Sequence, residues 1–371
     1  MLALATAWLL GAWLALGTAE PAFAQRSSAA AASTPRGPTW VRVPRVIGRL
    51  TARDIGVVIN RADPYSVEVG EYYAAARGLK PEQVLRVELP LRQTLTPEEF
   101  QRLAAQIDAH FGGATQALAL AWTQPYAVGC NSITGALALG YDAALCANGC
   151  AASRPSRYFN SASTKPFTDL AMRPSMLLAS RSIEQAKAMI IRGVAADDTL
   201  GLRGGLPANV YYVKTTDPAR SVRAVLFPPA GQVAGLGIDV HIENKNSLGD
   251  VDRVLLYMTG LIRVDQLDRI RWVPGALADH LTSYGGALEG VGDQMSVLDW
   301  LTSGATASYG TVSEPCSHLQ KFPHPQLLLL HYAQGSSAIE AYWKSVAWPQ
   351  QGVFVGEPLA APFARIRAAP P

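Results

Sequence analysis

Residues 54–60 read DIGVVIN, and the chain continues as RADP through residue 64. The apolar run is too short for a helix and does not alternate, which is the pattern of a strand buried on both faces. The Asn, Asp and Pro behind it are turn formers, so the chain leaves this strand into a loop. Residues 66–77 (SVEVGEYYAAAR) read as a helix capped by Ser66, with Gly78 placed where a helix end takes left-handed backbone. Residues 84–89 (VLRVEL) alternate as a second strand. Thr96, Pro97 and Glu99 then open a second helix whose apolar positions are Phe100, Leu103, Ile107 and Phe111, and residues 117–122 (ALALAW) form a third buried strand. Strand, helix, strand, helix, strand in this compass predicts an α/β fold with a doubly wound, mostly parallel sheet.

The loop between the first strand and its helix, Asn60-Arg61-Ala62-Asp63-Pro64, has no glycine to let a pyrophosphate approach the backbone. A nucleotide is therefore not expected, and nothing else in the sequence points to a cofactor. Residues 129–207, rich in Ser, Ala, Gly and Arg and broken by Pro155, Pro166 and Pro174, read as a long loop-rich insertion carrying one helix at 182–192. The alternation then resumes. Strands are expected at 208–214, 238–242 and 253–259, a helix-like segment from 217, a helix at 296–303, a strand at 305–309 and a last helix at 326–346. The body, 45–365, thus divides into a first α/β half (45–128), the insertion and a second α/β half (208–365).

Of 371 residues 49% are hydrophobic and 16% charged, which excludes a disordered chain; the net charge of +3 without a basic run excludes nucleic acid as a partner. Residues 1–24 end an apolar run in Ala22-Phe23-Ala24 and read as a secretory signal peptide; 25–44 are a Ser/Ala/Pro/Arg-rich lead-in. No second stretch is apolar for about 18 residues, so no transmembrane segment is expected after cleavage. Export to the periplasm or the medium makes disulfides the natural use of Cys130, Cys146, Cys150 and Cys316. Four cysteines allow three pairings. The close spacing of Cys146 and Cys150 suggests a small loop, which would leave Cys130 with Cys316. A thiolate and imidazole metal site is the alternative, but these spacings match no zinc pattern, so no metal is expected.

The strings NRADPYSVEVGEYYAAARGL, QPYAVGCNSIT, LTSYGG, GATASYGTVSEP, FPHP, EAYWKSVAWP and GVFVGEPLAAPF together resemble a family of uncharacterised secreted bacterial proteins associated with the exosortase protein-sorting system. That resemblance implies a setting in envelope and extracellular-polymer assembly. In the order of RVLLYMTG, ADHLTSYGG and the strand GATASYG, the chain is also similar to the gingipain and clostripain cysteine peptidases of the caspase-like fold. Those enzymes carry a His-Gly pair after the first of these strands and a Cys at the end of the second. Here Thr259-Gly260 and Ser283-Tyr284-Gly285 stand there, which implies that the dyad is missing.

Ligands of open α/β sheets bind beyond the carboxyl ends of the strands. The polar residues expected there are Asn60, Arg61 and Asp63 after the first strand, Trp122, Gln124 and Tyr126 after the third, Thr259, and Glu314, Cys316 and His318 after the 305–309 strand. If they converge, a hydrolase directed at peptide or polysaccharide would use His318 or His280 with Cys316, Asp63 or Glu314. A binding pseudoenzyme would keep Arg61, Trp122 and Tyr126 for an envelope protein or polysaccharide. On a structural reading the cysteines are staples and the polar loops are solvated.

Overall fold

The computed structural model describes residues 41–364 except Arg203 and Ala234. The expected signal peptide and residues 25–40 of the lead-in lie outside the described residues. The first α/β segment contains β1 (Ile55–Asn60), α1 (Pro64–Arg77), β2 (Val84–Val87), β3 (Thr94–Leu95), α2 (Pro97–His110) and β4 (Ala117–Leu120). Next come β5 (Ala127–Val128), β6 (Asn131–Ser132), α3 (Ile133–Leu139), α4 (Ala144–Ala147), α5 (Pro166–Leu170), β7 (Ser175–Leu177) and α6 (Ile183–Ala196). The remainder is β8 (Ala208–Lys214), β9 (Gly231–Val233), β10 (Ile238–Asn244), β11 (Val251–Gly260), β12 (Ile270–Leu281), α7 (Val297–Ser303), β13 (Ala307–Thr311), α8 (Pro325–Ala333), α9 (Ala338–Ser345) and β14 (Gly352–Gly356).

Local chemistry sets the element boundaries. Asp63, not Ser66, caps α1: its carboxylate accepts the Tyr65 N–H at 3.0 Å, and Pro64 occupies the first turn, where no N–H is needed. Ser66 Oγ instead accepts the Asn60 N–H at 2.7 Å and binds helix to strand. Gly78 closes α1 at φ 64°. Thr96 and Glu99 form the expected capping box of α2. The single helix expected at 326–346 is two, because the chain turns at Gln334-Gly335 and Ser337 with Glu340 caps a new start for α9.

Among the described residues eleven strands form one sheet in the order β2-β1-β4-β7-β14-β13-β12-β11-β8-β10-β9. β14 runs antiparallel to β13 and β9 to β10; the other extended pairings are parallel, and β14 meets β7 through the single pair Val355 and Leu177. The fold is therefore mixed α/β with a large, mostly parallel sheet flanked by helices, as the sequence predicts. The segment read as an insertion is loop-rich, yet it supplies β7 to the middle of this sheet and α6 to its cover.

The covering helices show which way the strands point. α1 and α6 run side by side in one direction, with Glu68 on Lys187 and, a few turns on, Arg77 on Asp197. α6 and α7 do the same: Arg181 meets Asp299 at their starts, and Arg192 donates to the Leu301 and Ala305 carbonyls toward their ends. Each helix returns from the end of the strand before it, so β1, β7 and β12 point the same way. β14 opposes β12 through β13, its contact with β7 being a single pair of parallel type, and Glu357 just beyond it reaches Arg77 at the far end of α1.

Helices cover both faces. Asp279, Tyr309 and Phe354 stand side by side across β12, β13 and β14, and Phe354 stacks on Trp343 of α9 with ring centroids 4.4 Å apart. His280, next to Asp279, points to the opposite face and meets Trp300 of α7. The runs in β1, β4, β7 and β14 are wholly buried, which explains why they lack polar alternation.

Cys130 pairs with Cys146 and Cys150 with Cys316, so the pairing suggested by spacing is corrected. The Asn148-Gly149 turn brings Cys150 to the 314–318 loop instead of back to Cys146, and Ser313 Oγ donates to the Cys130 carbonyl at 2.6 Å beside it. Among the described residues no helix is long and apolar enough to cross a membrane.

Candidate functional site at the strand ends of the first half

The carboxyl ends of β1, β4, β7, β12 and β11 share one edge of the sheet, but they are spread along it. β7, β14, β13 and β12 stand between β4 and β11, which puts Gln124 and Thr259 five strand spacings, roughly 24 Å, apart. Glu314, Cys316 and His318 leave β13 toward the face of Tyr309, whose hydroxyl donates to the Lys321 carbonyl, whereas the Asp63 loop opens toward α1, α6 and α7. The composite site expected from the sequence therefore does not form.

Over the ends of β1, β2, β4 and β7 lies an open cavity of about 400 Å³. Its lining includes Leu91 after β2, Asp63 after β1, Gln124 after β4 and Arg181 after β7, with Glu289 and Leu298 from the chain between β12 and α7 and from α7 itself. Bonds between the strand ends, one of them reaching past β4, hold the floor. Tyr65 Oη donates to the Leu178 carbonyl at 2.9 Å, and Thr123 Oγ1 to the Ser180 carbonyl at 3.4 Å. Burial, ahead of the helix-cap bond that lowers it, raises the Asp63 carboxyl above the usual carboxylate range. Burial, with the charge of Glu289 second, pushes the Tyr126 phenol up to about 12.

Glu289 is the meeting point of the rim. Its two carboxylate oxygens accept from the Gln124 and Gln93 amides, so one residue of the second half clasps two loops of the first. Arg181 pairs with Asp299 of α7 at 2.5 Å. Of the residues expected to bind ligand, Asp63 and Gln124 line the cavity. Trp122 and Asn60 are buried beneath it as supports. The Trp122 indole donates to the Pro125 carbonyl at 2.8 Å, and Asn60 joins the ends of β1 and β2 through the Leu89 N–H and carbonyl. Arg61 is exposed and outside the lining, and among the described residues it forms no ion pair with Asp63. Glu289, Arg181, Ser180 and Tyr65 went unrecognised in the sequence. Recognition of β7 would have flagged Ser180 and Arg181; no signal marks Glu289 inside its glycine-rich loop.

The ends of β8, β11 and β12 are closed. Thr259 Oγ1 donates to the Val213 carbonyl at 3.1 Å, and its own carbonyl accepts from Arg223 Nη2 at 2.7 Å. Gly260 packs so tightly under the following segment that a Cβ there would stand 1.8 Å from the Arg220 carbonyl oxygen. Arg220 itself spans the strand ends, binding Thr282 Oγ1 at 3.2 Å and Asp217 at 2.7 Å.

The four residues expected to be catalytic are not brought together: His280 lies under α7, and Glu314, Cys316 and His318 lie in the loop after β13. Cys316 is in a disulfide and supplies no thiolate, which removes it as a nucleophile. His280 is fully buried; the Trp300 indole donates to its Nδ1 at 3.0 Å, which fixes the proton on Nε2, and that N–H donates to the Met295 carbonyl at 3.0 Å. Burial pushes its pKa down to about 4. Both ring nitrogens are thus engaged inside the protein, away from solvent. Glu314 accepts the Cys316 N–H at 2.7 Å, closing the disulfide turn, and the His318 ring packs edge-on to Trp348. Beside them Lys321 is buried with its ammonium on the Gly149 carbonyl at 2.5 Å, and burial lowers its pKa to about 8. No cluster of three metal-ligating side chains occurs among the described residues.

No protein-family model matches the chain, and no curated protein matches it.

Proposed function

We propose that this chain is an exported protein of the bacterial envelope, of caspase-like build but without peptidase chemistry, which acts by binding a polymer or protein segment in the cavity over β1, β2, β4 and β7. One observation carries the reading. The ends of β11 and β12 are neighbours in register, Thr259 beside His280 and Gly260 beside Leu281, as the resemblance to the cysteine peptidases requires for a His and a Cys to meet. Yet those ends carry Thr259-Gly260 and Ser283, and Arg220 lies across them. The paired cysteines favour an oxidising compartment, in line with export. Further along the same edge, the open cavity combines leucines with a few oriented polar groups, the usual composition of a binding site.

The experiment is a mass measurement on protein isolated without reductant from periplasm and medium, joined to a peptidase assay over fluorogenic peptides of varied P1 residue. The reading predicts a chain beginning after Ala24, lighter by the four hydrogens of two disulfides, and no turnover. Turnover abolished by Ser283→Ala would overturn it.

A further inference from the structure

The rim of the cavity is a set of donor and acceptor pairs. Glu289 accepts from Gln93 and Gln124, Arg181 donates to Asp299, and Asp63 accepts from the first turn of α1. Glu289 and Asp63 accept from neutral groups and Arg181 answers only Asp299, so the rim keeps a net negative charge that disfavours an anion, while a cation, though attracted, could only donate. A hydroxyl group differs from both because it donates and accepts at once. Inserted between the Gln124 amide and the Glu289 carboxylate, it takes one bond and returns two. An ammonium in the same place has no acceptor and strands the amide. The cavity also carries apolar surface from Leu91, Leu288 and Leu298, suited to the C–H face of a saturated ring. Leu91, Arg181 and Glu289 are exposed at its mouth, which leaves the cavity open to a chain running through it.

We propose that the cavity takes an uncharged, polyhydroxylated ring, one sugar unit of a neutral polysaccharide, held by displacement of the Gln93–Glu289–Gln124 clasp. This rests on the reading of the cavity as the binding site. Titration calorimetry with neutral gluco-, manno-, galacto- and xylo-linked hexasaccharides tests it, with oligogalacturonate, chitosan hexamer and a lysine-rich decapeptide as charged competitors. The expected result is saturable binding of at least one neutral hexasaccharide, weakened tenfold or more in both Glu289→Ala and Gln124→Ala, with melting profiles unchanged. Binding confined to a charged probe but lost in these variants overturns the sugar assignment and leaves the cavity as the site. Binding that both variants leave intact overturns the cavity as well, and no binding of any neutral hexasaccharide overturns the assignment.

Discussion

At the end of β4 the chain turns away through Thr123 and Gln124 and leaves a cavity; at the end of β11 it runs beneath Arg220, and Gly260 leaves no room even for a methyl group. Both are carboxyl ends of strands on one edge of one sheet, the place where an α/β protein keeps its ligand. They differ in the segments that cross them. The β4 end is crossed by side chains that hold one another across a gap, the β11 end by backbone, with a buried ion pair beneath it. A row of aligned strand ends is thus not uniformly a site, and packing decides which stretch of it can receive a ligand.

The sealed end breaks hardest at its ion pair. Arg223 and Asp279 are both buried and joined to each other. Arg223→Ala leaves an uncompensated carboxylate, with an expected loss of about 3–5 kcal/mol in denaturant unfolding. A loss below about 1 kcal/mol would mean that the seal does not depend on the pair. The Cys150–Cys316 link spans 166 residues and fastens the loop after β13. The paired variant Cys150→Ser, Cys316→Ser is expected to lose about 2–5 kcal/mol, measured the same way, while thiol titration of the unfolded native protein finds no free thiol.

His280 makes the seal pH-dependent. Its folded pKa of about 4 lies below the unfolded value, so at pH between the two the unfolded chain takes up a proton that the folded chain refuses. The stability is full above about pH 6.5 and falls as the pH drops toward 4, by about 3 kcal/mol for this one group. Subtracting the profile of His280→Asn from that of the native protein isolates this slope. A difference that is flat across the window contradicts the buried neutral ring. The open end responds least: Asp63→Ala removes a helix cap and is expected to cost about 1 kcal/mol.

How far the sequence reveals these two regions depends on how local the signals are. DIGVVIN and ALALAW announce buried strands, and TPEE announces a capped helix, because runs, caps and turns are short-range patterns. Strand order is not local. Nothing in SML or GVFVG shows that β7 and β14 lie between β4 and β13, and those two insertions carry Thr259 away from Asp63. β7 escaped because three residues between Pro174 and Leu178 are too few to show a period. The paired cysteines followed from their even number, but which pairs form depends on where the 314–318 loop lands. Asp63 and Gln124 were legible as strand-end polar residues; Glu289 reaches Gln124 from 165 positions further along the chain.

Hydrogen–deuterium exchange with and without a bound neutral hexasaccharide tests the assignment of the ligand to the open end most directly. The account predicts new protection in peptides covering 61–65, 88–95, 122–128, 180–182 and 286–298, with 215–223, 259–262 and 311–318 unchanged. Protection at the ends of β11 and β12, with none over β1 and β4, would contradict it.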